Sequence, residues 1–142
     1  MKNYLLLVVV LFLFQGKLQS QAKQDPWTAA QLIQPETLAK SITDKKEVVI
    51  LSVGPGALIK GSVDMGPASD EANLDKLKKY VSKLPKSKEI VIYCGCCPFD
   101  KCPNIRPAFK ALQEMGYKNA KLLNLTKNIK MNWLDKHYPT ND

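Results

Sequence analysis

The chain has 142 residues, with 21 Lys and Arg against 13 Asp and Glu, one His and four Cys, for a formal charge of +8. That length holds one domain of ordinary size with a core of its own. The lone histidine, His137, argues against Ser-His-Asp and Cys-His catalysis, and lysines scattered without interleaved aromatics argue against nucleic acid as a partner.

Residues 1–22 read as an export signal. Lys2 supplies a charged start, Leu5 to Phe14 form an unbroken apolar run, and Ser20-Gln21-Ala22 is a small-residue cleavage pattern. The run falls short of the roughly 20 residues that a membrane-spanning helix needs. The mature chain is therefore expected to start near Lys23, to be periplasmic or secreted, and to keep no stable membrane insertion after cleavage. Loss of Lys2 and Lys17 leaves 19 basic against 13 acidic residues, a formal +6, and such a field favours encounter with small anions.

Residues 23–35 are expected to be a loosely tied N-terminal arm anchored by Trp27, ahead of a domain over 36–142. Pro35 suits the first position of a short helix with Leu38, Ala39 and Ile42 on one face. Val48 to Val53 is a continuous apolar run closed by Gly54-Pro55-Gly56, the pattern of a strand buried on both faces. Between Ser69 and Leu84, the residues Leu74, Leu77, Val81 and Leu84 recur at helical spacing beneath a lysine-rich face, with Ser69 or Asp70 as cap. Ile90 to Tyr93 is a second buried strand that ends on Cys94. Ile105, Ala108, Phe109, Leu112 and Met115 define a helix that stops at Gly116, and Asn119 to Leu125 supplies a third strand. Strands alternating with helices predict an α/β fold, a single open parallel sheet flanked by helices on both faces. Ligands bind such sheets at the carboxyl ends of the strands, which is where Cys94 falls.

All four cysteines lie between Cys94 and Cys102, as Cys94-Gly95-Cys96-Cys97-Pro98-Phe99-Asp100-Lys101-Cys102. Disulfides among them close only tiny loops, so stapling the fold is not their main use. The loop runs from a buried strand into a helix starting near Asn104, whose first N–H groups lack intrahelical partners and carry the positive end of the helix dipole. A thiol in that setting is expected to lose its proton readily. Arg106, in the first helical turn, offers a fork for an oxyanion. Cys94 is thus the candidate nucleophile, with Gly95, Cys96, Cys97, Asn104 and Arg106 as the candidate anion cradle.

The order of these segments resembles the rhodanese-like (sulfurtransferase) domain family. The resemblance rests on Ile90-Val91-Ile92-Tyr93-Cys94, the loop and helix ending in Leu112-Gln113-Glu114-Met115-Gly116-Tyr117, Asn119 to Leu125, and Trp133 before Tyr138-Pro139, with Ile59 to Val63 upstream as a short strand. It covers residues 36–139. It implies that Cys94 accepts a sulfane sulfur as a persulfide from a small anionic donor such as thiosulfate and passes it to a thiol acceptor. Arg106 stands twelve positions after Cys94, in a loop longer than the family's, and the family needs one loop cysteine where this chain has four.

The additional cysteines leave several readings open. Cys96, Cys97 or Cys102 can act as a resolving thiol towards a persulfide on Cys94, and Cys97 with Cys102 is the pair best spaced for a static disulfide. Four soft thiolates suit Cu(I), Zn or an iron–sulfur centre by ligand type, but adjacent ligands and a one-residue gap are awkward for a tetrahedral site, so no cofactor and no metal ligands are expected. A thiol–disulfide exchanger is a further reading, since Cys94 and Cys97 have Cys-x-x-Cys spacing, although Pro98 and not a helix start follows the pair. A binding module without catalysis completes the set.

Overall fold

The computed structural model describes residues 27–142. The expected export signal and the first residues of the arm lie outside them. Five strands form one sheet: β1 (Leu32–Ile33), β2 (Val49–Ser52), β3 (Val63–Asp64), β4 (Ile90–Tyr93) and β5 (Ala120–Leu123), in the order β1-β5-β4-β2-β3. Every pairing is parallel. Four α-helices join them: α1 (Pro35–Thr43), α2 (Glu71–Val81), α3 (Ile105–Glu114) and α4 (Ile129–Asn132).

The central position of β4 follows from its composition. Ile90, Val91, Ile92 and Tyr93 have no side chain that prefers water, and all four are buried between β2 and β5. Side chains alternate between faces along a strand. Ile90, Ile92 and Cys94 therefore join Leu77 and Val81 of α2 and Ile105, Ala108, Phe109 and Leu112 of α3 in one cluster. Val91 and Tyr93 join Leu38 and Ala39 of α1 and Trp133 in the cluster on the other face. Burying each such aliphatic side chain contributes roughly 1.5–3 kcal/mol. Helices thus cover both faces, and the same alternation aims Cys94 at the helix that follows its loop.

Helix ends agree with the sequence signals. The Asp70 carboxylate accepts from the N–H groups of Ala72 and Asn73 at the start of α2, and Gly116, at φ 85°, takes the left-handed turn after α3. Tyr117, buried beyond that turn, donates its hydroxyl to the carbonyls of Val81 and Leu84 and so ties α3 to the end of α2.

The N-terminal arm departs from expectation. Leu32 and Ile33 pair with Leu122 and Leu123 and form an edge strand, the Asn124 N–H donates to the Ile33 carbonyl at 2.9 Å, and Trp27 is buried. The folded unit therefore begins before residue 36. Two residues are too short for a period-2 pattern, and this strand exists only because β5 offers it an edge. Ile59 forms an isolated antiparallel bridge with Thr140, and the strand expected near it is confined to Val63–Asp64. Among the described residues no helix is long and apolar enough to cross a membrane.

Candidate active site

Cys94 directly follows the last residue of β4, and its position is over-determined. The Val53 N–H donates to the Tyr93 carbonyl at 2.9 Å, which holds the end of β4 to the segment leaving β2. The Ala68 N–H donates to the Val53 carbonyl at 3.2 Å. Gly54 lies directly against the thiol, and a β-carbon there would stand 2.6 Å from Cys94 Sγ and 3.2 Å from its Cα. After Cys94 the loop is pinned at three points. The Ile129 N–H donates to the Gly95 carbonyl at 2.9 Å, the Phe99 N–H donates to the Leu125 carbonyl at 3.0 Å, and Arg106 Nη2 donates to the Asp100 carbonyl at 2.9 Å.

These restraints gather the sulfurs. Cys94 Sγ lies 3.3 Å from Cys96 Sγ, which lies 3.2 Å from Cys97 Sγ. The Sγ atoms of Cys94, Cys96 and Cys102 all lie within 4.8 Å of one another. No disulfide links the four cysteines in the structure, and Cys102 packs with Cys94 and Cys96.

The thiols are electrostatically unequal. Cys94 is lowered from an ordinary 9.0 to about 5, chiefly by a hydrogen bond from the Cys102 thiol, with further donation from the Cys96 N–H, the Asn104 side chain and the Cys96 thiol outweighing the cost of burial. The Asn104 contact runs from Nδ2 to Cys94 Sγ at 3.6 Å, long but within reach of a large sulfur acceptor. Its Oδ1 accepts from the Ser69 N–H at 2.9 Å, which fixes the amide so that its donor side faces the sulfur. Cys102 is held far above its ordinary value because it is the donor to Cys94. Cys96 is pushed up to about 12 by desolvation of its sulfur and by Cys97 and Cys94 beside it. Of these three thiols, Cys94 is therefore the one whose anion is favoured.

The positive end of α3 acts differently from the sequence expectation. The backbone amides of Asn104 and Ile105 act to lower Cys102, against its net upward shift, and are not among the causes that lower Cys94. Cys94 meets the helix start through two side chains, the Cys102 thiol and the Asn104 amide. Nor is the Cys94 sulfur open at the rim of the sheet. The residue is 1 % exposed, whereas Cys96 is exposed and Cys97 half-buried.

Arg106 is exposed, and its guanidinium lies 5.1 Å from the centre of the Trp27 ring while bonding the Asp100 carbonyl. Both contacts serve the arm and the cysteine loop. With Trp27, Gln31, Phe109 and Gln113 it also lines a cavity of about 350 Å³ that none of the cysteines lines. Gly95 is half-buried, and a β-carbon on it would stand 2.9 Å from Ile129. Two contributors escaped the sequence reading. Gly54 carried a signal, since it closes an apolar run that aligns with β4, but Ser69 carried none. His137 is exposed at the end of a 3-10 turn and belongs to neither hydrophobic cluster.

No protein-family model matches the sequence, and no curated protein matches it. Solved structures do match the fold. A Lactobacillus plantarum protein from a structural genomics consortium superposes with a TM-score of 0.59 at 19% identity, over 80% of this chain and 89% of that one. The Saccharomyces cerevisiae single-domain sulfurtransferase RDL2 superposes with a TM-score of 0.54 at 16% identity, over 77% of this chain and 92% of that one. EanB, in a variant bound to hercynine, superposes with a TM-score of 0.54 at 19% identity, over 81% of this chain but only 29% of its own. A five-stranded parallel sheet with helices on both faces, a cysteine at the end of its central strand and these structural neighbours together make residues 27–142 a rhodanese-like domain in fold.

Proposed function

We propose that the domain is a sulfurtransferase in which Cys94 carries a sulfane sulfur as a persulfide. The observation that carries this reading is the state of Cys94, a thiol at the carboxyl end of the central strand whose anion is favoured by donors from Cys102, Cys96 and Asn104. A thiolate is the nucleophilic form of cysteine. Its attack on the outer sulfur of an anionic donor such as thiosulfate forms a sulfur–sulfur bond to Cys94 and breaks the donor's own. Sulfite leaves with the electron pair. The donors that stabilise the thiolate then stabilise the persulfide anion, and the loop amides from Gly95 to Cys97 receive the donor's oxyanion.

Burial of Cys94 gives Cys96 a part in this chemistry. A donor meets Cys94 once the adjacent Cys96 side chain moves aside. On the way out the Cys96 sulfur attacks the outer sulfur of the Cys94 persulfide and gives up its proton to it, so that the sulfur moves to an exposed position as a Cys96 persulfide and Cys94 leaves as the thiolate. No oxidant or reductant is consumed. A thiol acceptor in solution then takes the sulfur from Cys96 by the same exchange. Cys97 and Cys102 are not required to carry sulfur, and Cys102 acts as the proton donor that holds the Cys94 charge.

Intact mass before and after thiosulfate tests this reading. The reduced protein should gain the mass of one sulfur atom, with sulfite released in equal amount. The gain should vanish in Cys94→Ser and persist in Cys97→Ser. A gain of sulfur that survives in Cys94→Ser would overturn the assignment.

A further inference from the structure

The sequence spacing of the cysteines argues against a metal site, but the fold changes which cysteines must be considered. Cys102, eight positions after Cys94, is returned by the 3-10 turn at Phe99–Lys101 to a place where its Sγ joins those of Cys94 and Cys96 within 4.8 Å. Three sulfurs each about 2.3 Å from a cation in their plane stand about 4 Å apart. The trio matches that triangle with small side-chain adjustments, and the awkward adjacent pair, Cys96 and Cys97, does not have to ligate together. Among the described residues no His, Asp or Glu belongs to this cluster. The donors are all soft, which selects for thiophilic cations.

We propose that Cys94, Cys96 and Cys102 form a three-thiolate site for Cu(I). A three-sided, all-sulfur set suits a soft monovalent ion that accepts three ligands, whereas structural zinc takes four; the fourth cysteine, Cys97, lies 3.2 Å from Cys96 Sγ but outside the set of mutually close sulfurs. The site is built around its sulfurs. Cys94 and Cys102 are each 1 % exposed, which shields the bound ion, and exposed Cys96 gives it a way in. Asn104 Nδ2 faces Cys94, so a fixed donor meets the negative charge that three thiolates and one cation leave. Binding exchanges thiol protons for the cation and involves no change in oxidation state. The site stands independently of sulfur transfer, and it competes with it, because an ion on Cys94 removes the nucleophile.

The test is anaerobic titration of the reduced protein with Cu(I) in competition with a chromophoric Cu(I) chelator. The expected result is retention of one copper per chain, unchanged in Cys97→Ser and lost in Cys96→Ser and in Cys102→Ser. Cys96 is exposed, so Cys96→Ser keeps the proposal testable even if replacing buried Cys102 unfolds the chain, and far-ultraviolet circular dichroism checks each variant. X-ray absorption should find three sulfur neighbours around copper. The proposal is overturned if the chelator strips all copper from the native protein, if Cys96→Ser retains it, or if Cys97→Ser loses it. Sulfur uptake measured by mass on the copper-free protein reports on the transferase reading alone, so failure of either proposal is visible without the other.

Discussion

Gly54 and Cys94 are in such close contact that a β-carbon on Gly54 would stand 2.6 Å from the Cys94 sulfur. The backbone of Cys94 is nearly as near, at 3.2 Å, so a small rotation of the thiol does not relieve the clash. A glycine two residues past β2 is therefore what lets the end of β4 carry a sulfur in this position.

Gly54→Ala is expected to lower stability by about 1–3 kcal/mol, the usual cost of an overpacked core, and to displace the thiol from its donors. Urea denaturation should show the loss of stability. Sulfur uptake should fall by more than the folded fraction accounts for, and full uptake in a folded Gly54→Ala protein would refute the claimed contact.

The charge on Cys94 predicts a pH profile. Its ionisation is held near 5 against an ordinary 9.0, so sulfur uptake should persist in mild acid and fall as the pH drops through about 5. Cys102→Ala removes the leading cause of the shift and should move the midpoint upward, read from ultraviolet thiolate absorbance. The linkage to stability has the sign of a depressed acid. Between about 5 and 9.0 the folded protein holds a thiolate where the unfolded chain holds a thiol, so this group's contribution grows as the pH rises through that window and is absent below it. Cys96 and Cys102, both raised, act in the opposite direction above the ordinary thiol range.

Asn104 joins two segments, accepting from the Ser69 N–H and donating to Cys94. Asn104→Ala leaves the Ser69 amide without its partner and should cost about 1–3 kcal/mol if water does not replace it. It should also raise the midpoint of Cys94 ionisation, by less than Cys102→Ala does, because the Cys102 bond is the larger cause. A thiolate titration that does not move in Asn104→Ala would remove Asn104 from the site.

Arg106 stacks on Trp27 and bonds the Asp100 carbonyl. Arg106→Ala should cost about 0.5–1 kcal/mol, the worth of an exposed cation–π contact, and should loosen the arm, as faster amide exchange from Thr28 to Ile33 would show. Cys94 ionisation and the thiosulfate dependence of sulfur uptake should stay unchanged. A strongly weakened thiosulfate dependence would instead place Arg106 in the anion cradle.

The framework of this fold is legible in the sequence wherever a single segment carries its own period. Val48 to Val53, Ile90 to Tyr93 and the Ile105 to Met115 stripe each announce a strand or a helix, and their alternation fixes a parallel sheet with Cys94 at the end of one strand. Alternation along β4 even fixes the face on which Cys94 lies, since Ile90 and Ile92 share it. The edge strand Leu32–Ile33 is not legible, because its hydrogen bonds go to β5, far along the chain.

The chemistry of the site belongs to the same second category. Sequence alone determined that four cysteines share one loop between a buried strand and a helix start, because those facts are local. Only the tertiary structure decided that Cys94 is buried, that Cys102 comes beside it and favours its anion, and that Arg106 turns to Trp27. Ionisation and metal affinity depend on distances of a few ångströms between side chains, and those distances are set by how β2, β4, α3 and the arm pack, which no local pattern encodes.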